Sequence, residues 1–231
     1  MKIGLYSDSH YSSAALTCEV RRNNQSLRKL EEAYRFFEKE GCRLAVCLGD
    51  LIDTEETVER EKENLALVGR VIRQSTVPTV CLMGNHDAFV LERGEFYEIL
   101  GLSPVEELHI DGRRLLFLDA CYFKNGRHYA PGDADWTDCF LPDAEGLRAR
   151  LAESGEDTYL FLHQNIDPAV MANHRLWNAD EVFTVIRESG AVKAVLQGHF
   201  HPGCRSVHDS VSYITLPAMC ESEDAYFVME I

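Results

Sequence analysis

Residues 80–87 read Val-Cys-Leu-Met-Gly-Asn-His-Asp, an apolar run that ends in a glycine and three polar residues. Four apolar positions in a row are typical of a buried parallel strand. The side-chain amide of Asn85 offers a neutral oxygen ligand to a metal ion, and the neighbouring His86 could then act on whatever the metal holds. Gly-Asn-His-Asp is also good turn composition, so an Asx turn is the competing interpretation.

The same arrangement recurs at four other predicted strands, each of which is followed within two residues by candidate ligands. In α/β proteins, sites form outside the carboxyl ends of strands, so we expect these side chains to share one crevice. Chance would place such residues equally often at strand starts and on helix surfaces. The ligands and the strands they follow are Asp8 and His10 (strand 3–6), Asp50 (44–48), His163 (158–162), and His199 and His201 (192–196).

The rest of the chain predicts helices alternating with strands. Leucine and aromatic spacing favours helices over 24–40, 58–73, 94–100, 143–153 and 178–189. Residues 107–110 and 113–119 predict a hairpin that turns at Asp111 and Gly112. Alternation in the last segments, 205–208, 211–216 and 226–231, is typical of antiparallel strands. No linker or repeat divides the chain, so we expect one domain over residues 1–231.

Residues 120–142 lack periodicity and carry aromatic residues among Gly, Pro and Asp. A long irregular loop of this kind is usually the rim or lid of a site. The alternative is a loop that its own aromatic side chains hold on the surface. The aromatic residues are Tyr122, Phe123, Tyr129 and Trp136.

The composition is that of an ordinary globular protein, but it is acidic. The 23 basic and 38 acidic residues of the 231-residue chain give a formal charge of −15, which argues against binding to nucleic acid or to anionic membranes. Positive charge for a phosphate substrate would then come from bound divalent cations. The eight cysteines form no C-x-x-C pair. Their scatter favours free thiols in a reducing compartment, and we expect a cytoplasmic protein.

Taken in order, the motifs SDSH (7–10), GDLID (49–53), GNHD (84–87), the lone His163 and GHFH (198–201) resemble the calcineurin-like metallophosphoesterase family. The resemblance spans residues 8–201. It implies an α/β fold, a four-layer α/β/β/α sandwich with mixed sheets. It also implies two metal sites that share Asp50. Asp8, His10, Asp50 and His201 would hold one metal, and Asp50, Asn85, His163 and His199 the other.

In this family pattern His86 is the catalytic histidine and not a ligand, and we expect Asp87 to orient its ring. Asp53 is expected to make hydrogen bonds within its turn or to cap the next segment, and it is not counted as a ligand. Two cations bind the phosphoryl oxygens and lower the pKa of a bridging water, so that hydroxide can attack near neutral pH. Histidine and oxygen ligands suit Mn, Fe, Co, Ni or Zn, and Mn is favoured here.

A weaker likeness points to the branch of the family that acts on ADP-ribose, CDP-alcohols and related nucleoside diphosphate compounds. It is carried by residues 26–30, 176–178 with 181–182, 198–203 and 215–221. We therefore expect a hydrolase of phosphodiester or diphosphate bonds in small phosphate-containing substrates. A phosphomonoesterase or phosphoprotein phosphatase, and a non-catalytic scaffold with the same fold, remain alternatives.

Overall fold

The computed structural model of the protein describes residues 1–133, 139–153, 155–223 and 225–231. Within these residues the helices are α1 (Ser26–Glu40), α2 (Val58–Gln74), α3 (Asn85–Val90), α4 (Arg93–Leu100), α5 (Ala144–Ala152) and α6 (Ala179–Ser189). The strands are β1 (Lys2–Tyr6), β2 (Leu44–Cys47), β3 (Thr79–Cys81), β4 (Glu107–Ile110), β5 (Arg113–Leu118), β6 (Asp157–Leu162), β7 (Val192–Gln197), β8 (Cys204–His208), β9 (Val211–Thr215) and β10 (Tyr226–Glu230).

The strands form two mixed sheets. One has the order β10-β1-β2-β3 and the other the order β4-β5-β6-β7-β9-β8. In the first sheet β1, β2 and β3 run parallel, and β10 is antiparallel to β1. In the second sheet β5, β6, β7 and β9 run parallel, with antiparallel β4 and β8 at the two edges.

Side chains of alternate residues on the strands build two separate apolar layers on each sheet. Ile3 and Leu5 of β1 lie in a cluster with Phe117 and Phe161 of the opposing sheet, and these two rings stack at 5.0 Å. Tyr6, the next residue of β1, belongs instead to a cluster that includes the buried faces of the helices. The two sheets therefore pack face to face with helices outside, which confirms the four-layer α/β/β/α sandwich.

Helix α1 shows how the sequence pattern produces the outer layer. Leu30, Ala33 and Phe37 are completely buried, as residues three and four apart share one face of a helix. The helix ends at Gly41, whose φ of +68° suits a residue without a side chain. Each of the predicted helices is present to within two or three residues, and Asp111 and Gly112 form the predicted hairpin turn with φ of +53° and +74°.

Two local features differ from the sequence-based expectation. Strand β9 pairs parallel with β7 and antiparallel with β8, so only part of the C-terminal segment is antiparallel. Residues 84–87, interpreted as a turn or a site, contain the N-cap and the first three residues of the short helix α3. The described residues contain no helix long and apolar enough to cross a membrane.

Candidate active site

The predicted ligands come together where β1, β2, β3, β6 and β7 end. Parallel strands place their carboxyl ends at the same edge of a sheet, and face-to-face packing brings the two edges together. Around this point the side chains form two groups on either side of Asp50. We call them the His201 half (Asp8, His10 and His201) and the His163 half (Asn85, His163 and His199).

In the His201 half, nitrogen and oxygen atoms converge without intervening apolar groups. The Nε2 atoms of His10 and His201 are 3.2 Å apart. Asp8 Oδ1 lies 3.5 Å from Nε2 of His201 and 3.8 Å from Nε2 of His10. Asp8 and His10 are completely buried, and the carboxylate of Asp8 also accepts hydrogen bonds from the Ser7 hydroxyl and the backbone N–H of His199.

In the His163 half, Nε2 of His163 lies 3.2 Å from Oδ1 of Asn85. The rings of His163 and His199 are 5.2 Å apart, and ligand atoms of Asp50, His163 and His199 lie within 4.8 Å of one another. This half is also buried, with His163 only 1% and His199 8% exposed.

Asp50 connects the two halves through a single oxygen atom. Its Oδ2 lies 3.5 Å from Nε2 of His10 and 3.2 Å from Nε2 of His163. Its Oδ1 accepts a hydrogen bond of 2.9 Å from the backbone N–H of His86, which fixes the carboxylate. Burial alone would raise the pKa of Asp50, but the charges of His163 and His86 hold it well below its usual range. Asp50 is therefore an anion placed between two groups of ligands.

The hydrogen bonds behind the histidines fit a pair of divalent cations. Nδ1 of His163 lies 2.8 Å from the carbonyl oxygen of Leu48. A carbonyl can only accept, so Nδ1 carries the proton and Nε2 points its lone pair, or a second proton, at the oxygens of Asp50 and Asn85. Burial lowers the pKa of His163, but the charges of Asp50 and Asp8 raise it to about 9. The oxygens around His163 thus favour positive charge at this point. A bound cation would supply such a charge.

The backbone is held in an uncommon conformation where it presents these ligands. Asp8, His10, Asp50 and His199 all have positive φ, from +40° to +65°. Asp and His are among the residues that enter this left-handed region most readily, yet four instances within one site indicate a constrained arrangement. Gly84 permits close approach, because a Cβ atom there would collide with the carboxylate and backbone N of Asp50.

The structure places His86 directly beside the His201 half, with ligand atoms of His10, Asp50 and His86 within 4.8 Å of one another. Its ring meets that of His10 edge-on at 4.5 Å, and its Nδ1 lies 3.5 Å from Oδ1 of Asp53. The other oxygen of Asp53 accepts hydrogen bonds from Arg21 at 3.1 Å and Asn23 at 2.8 Å. Asp53 also accepts from the backbone N–H of Thr54 at 2.9 Å, which is the bond within the turn that its position predicted.

The expectation that Asp87 orients His86 is wrong. Asp87 is completely buried and accepts hydrogen bonds from the backbone N–H groups of Leu51, Ile52 and Gly84 at 2.9, 3.2 and 3.0 Å. Consecutive residues of a helix project in different directions, so Asp87 caps α3 and ties it to the end of β2 while His86 faces Asp53. Burial and the charge of Asp50 raise the pKa of Asp87 to about 7.

A sequence model of calcineurin-like phosphoesterases matches residues 1–203. The chain belongs to this family. It is 23% identical to a probable cyclic nucleotide phosphodiesterase of Psychrobacter arcticus, over 93% of this chain and 74% of that protein. A protein of Fibrobacter succinogenes with a similar name is 24% identical, over 93% of this chain and 78% of its own length. These relationships identify a phosphoester hydrolase.

The fold of this phosphoesterase is also similar to that of a dimetal phosphatase from Danio rerio. The two structures superpose with a TM-score of 0.79 at 19% sequence identity, covering 98% of this chain and 91% of the other. At this identity the likeness describes the fold, and the side-chain geometry above describes the site.

Two supporting carboxylates were not predicted from the sequence of the phosphoesterase. Asp53 faces His86, and Glu221 lies 2.5 Å from Nδ1 of His201. A carboxylate behind a histidine fixes its tautomer and directs Nε2 toward a metal. Glu221 belongs to the stretch 215–221 that carried the weaker family likeness, which was the available signal. The contact between Glu221 and His201 forms because the chain folds back over 20 residues. The local sequence does not show this.

The ligand atoms open into a cavity of about 410 Å³. Its lining includes Asp50, Asn85, His199 and His201, together with Arg21, His86, Met171, His174, Phe200 and Pro202. His174 lines the cavity, whereas Trp177, three residues further on, is not among the described residues that line it.

The described part of the loop 120–142 does not line the cavity that holds the predicted ligands. Tyr122 and residues 141–142 line a separate cavity of about 230 Å³ near Arg93 and Arg150. Phe123 and Tyr129 contact each other at 4.4 Å, which agrees with the alternative of a loop held by its own aromatic residues. Trp136 lies outside the described residues.

Proposed function

We propose that residues 1–231 form a single-domain, two-metal phosphohydrolase that cleaves phosphodiester or diphosphate bonds of small nucleotide-like substrates. The observation that carries this proposal is the position of Asp50. One of its oxygens lies 3.5 Å from Nε2 of His10 and 3.2 Å from Nε2 of His163, so this carboxylate faces both ligand groups. We propose manganese as the preferred metal.

The residues of each half have separate roles in this proposal. Asp8, His10 and His201 would hold one ion, Asn85, His163 and His199 the other, and Asp50 both. When bound, the ions would neutralise phosphoryl oxygens and lower the pKa of water, so that hydroxide is available near neutral pH. The neutral amide of Asn85 completes a ligand shell without adding negative charge against an anionic substrate.

His86 would donate a proton to the leaving oxygen. Burial lowers the pKa of His86, but the charge of Asp50 and the hydrogen bond with Asp53 raise it above its ordinary value. The contact with Asp53 orients this ring, which lines the same cavity as the ligands. A general acid in this place assists the departure of a poor leaving group such as an alkoxide.

Arg21 supplies a second positive charge to the cavity. Its guanidinium is 3.1 Å from Asp53 and 3.9 Å from Glu221, and its side chain is 16% exposed. A fixed arginine suits the oxygens of a phosphate or a diphosphate. The chain as a whole has a net charge of −15. An anionic substrate must therefore be attracted by local cations such as Arg21.

The experiment that tests this function combines metal analysis with a substrate panel. Purified protein is depleted with a chelator, titrated with Mn²⁺, and assayed on bis-p-nitrophenyl phosphate, p-nitrophenyl phosphate, a cyclic nucleotide, ADP-ribose and a CDP-alcohol. We expect two bound ions per chain and faster hydrolysis of diesters or diphosphates than of the monoester. Preference for the monoester would favour a phosphomonoesterase. Two bound ions without turnover of any substrate would favour the scaffold.

A further inference from the structure

One side of the cavity is apolar even though it adjoins the ligands. Met171, Phe200 and Pro202 line it next to His199 and His201. Phe200 stands between these two histidines in the sequence, so the chain that presents the ligands also presents its ring. We call Met171, Phe200 and Pro202 the apolar wall.

The apolar wall is held in place by a neighbouring histidine. The ring of His174 lies 5.2 Å from that of Phe200 and 5.6 Å from that of His199, both edge-on. Met171 and His174 are joined by a 3₁₀ turn, in which the His174 N–H donates to the Met171 carbonyl at 2.9 Å. These ring contacts and the backbone hydrogen bond fix Phe200 and Met171 in position.

The apolar wall is open to solvent. Met171 is 57% exposed, and Phe200 is partly exposed. A large apolar side chain open to solvent at the edge of a site commonly marks contact with a ligand.

The remainder of the cavity has the opposite character. Arg21 and His86 line it, and both contact Asp53, at 3.1 and 3.5 Å. The ring of His86 meets His10, whereas His174 meets His199. The cavity therefore has charged groups on one side and apolar groups on the other, which suits a substrate with an anionic and a flat apolar part.

We propose, building on the function above, that Phe200 and Met171 bind the base of a nucleotide substrate. An aromatic face stacks on a base, and a thioether adds polarisable contact. The polar edge of a base can stay hydrated here, because Met171 leaves the wall open to solvent. An alkyl chain would gain less from an open wall, since its burial would be incomplete. The side chains of the apolar wall contact the flat face of a base and do not hydrogen-bond to its edge. The wall therefore accepts both purine and pyrimidine bases.

The test compares two anions that differ only in the base. AMP and ribose 5-phosphate are measured as competitive inhibitors of bis-p-nitrophenyl phosphate hydrolysis by the Mn²⁺-loaded protein. We expect AMP to bind more tightly by about fivefold or more, from the usual strength of base stacking on an aromatic side chain. Phe200→Leu and Met171→Ala should each lower the ratio of the two inhibition constants. The ratio corrects for any disturbance of the adjacent ligands.

Phe89→Leu is the matched control, because Phe89 is also an exposed phenylalanine, at 40%, but lines a different cavity. Its ratio should equal that of the wild type. Equal inhibition by AMP and ribose 5-phosphate in the wild type would overturn the proposal. So would an unchanged ratio in Phe200→Leu, or hexyl phosphate binding as tightly as AMP.

The same comparison by calorimetry separates this inference from the proposed function. If the Mn²⁺-loaded protein hydrolyses no phosphodiester, the proposed function fails, but titration with AMP and with ribose 5-phosphate still shows whether the wall binds a base. If diesters are hydrolysed and the two anions bind equally, the function stands and the base site does not.

Discussion

The two halves of the site are supported in different ways. In the His201 half, His201 is held by a side chain, the carboxylate of Glu221. In the His163 half, His163 is held by the main chain, through the carbonyl of Leu48 at the end of β2. A side-chain support can be removed by substitution, whereas a carbonyl remains whichever residue carries it. The comparison predicts that the halves can be weakened separately.

The support of the His201 half extends through a loop to helix α1. Residues Met219 and Cys220 donate backbone hydrogen bonds to the carbonyls of Ser7 and Asp8 at 3.0 and 3.1 Å. Lys29, only 2% exposed, donates to the carbonyls of Met219 and Ser222 at 2.8 Å each. The segment that carries Glu221 is thus fixed from both sides.

The largest expected effect comes from the residue that both halves share. Asp50→Asn keeps the shape of the side chain but removes its charge, so both ions should be lost or strongly weakened. Turnover should fall by at least about a thousandfold, from the several kcal/mol that metal-ion catalysis supplies. Metal content after dialysis and kcat/KM on bis-p-nitrophenyl phosphate check this.

Asp209→Asn is the control for Asp50→Asn. Asp209 lies in an exposed turn at φ +47°, a conformation that asparagine also tolerates. Wild-type metal content in Asp50→Asn, or loss from one half only, would contradict the shared position of this carboxylate.

The next largest effect separates the ligands from the proton donor. His86→Ala should retain both ions and lose about 10²–10⁴ in turnover of a substrate with an alkoxide leaving group. The loss should be much smaller with p-nitrophenolate, which departs without protonation. Asp53→Asn should show the same dependence on leaving group with a smaller loss, because His86 remains. An equal loss on both substrates would refute the proton-donor role.

The third effect is confined to one half. Glu221→Gln removes the carboxylate behind His201 and should weaken one of the two Mn²⁺ affinities by about 10–100-fold. The second affinity, from the half that depends on the Leu48 carbonyl, should not change. Calorimetric titration of the depleted protein measures both. Glu223→Gln is the control, since Glu223 lies two residues further on and pairs with Arg22 at the surface. Equal weakening of both ions would show that the halves are not independent.

The same difference explains how much of the site could be predicted. Asn85, His163 and His199 lie within four residues of the end of a strand, so local sequence is enough to place them. The supporting contacts join distant segments: Arg21 meets Asp53 over 32 residues, and Glu221 meets His201 over 20. Loop paths depend on tertiary packing, which local patterns do not encode.

The error at Asp87 has a similar origin. Its position next to His86 suggested a contact, but the start of α3 at Asn85 turns neighbouring side chains apart. The individual helices and strands were predicted more completely because alternating and helical apolar patterns are local signals, whereas the order of the layers came from the family resemblance. The parallel pairing of β9 with β7 was missed, since an alternating strand does not reveal the direction of its neighbour.

The smallest expected effect concerns Lys29, the most distant support of the His201 half. Lys29→Met keeps the apolar stem but leaves the carbonyls of Met219 and Ser222 without this donor. The free energy of unfolding should fall by about 1–3 kcal/mol, measured by urea denaturation. The Mn²⁺ affinity that Glu221→Gln weakens should fall only a few-fold, because the hydrogen bonds to Ser7 and Asp8 still hold the segment.

Lys39→Met, at an exposed position on the same helix, should change neither quantity. If Lys29→Met were destabilised with both Mn²⁺ affinities intact, Lys29 would support the fold alone, and the support of the His201 half would end at Glu221.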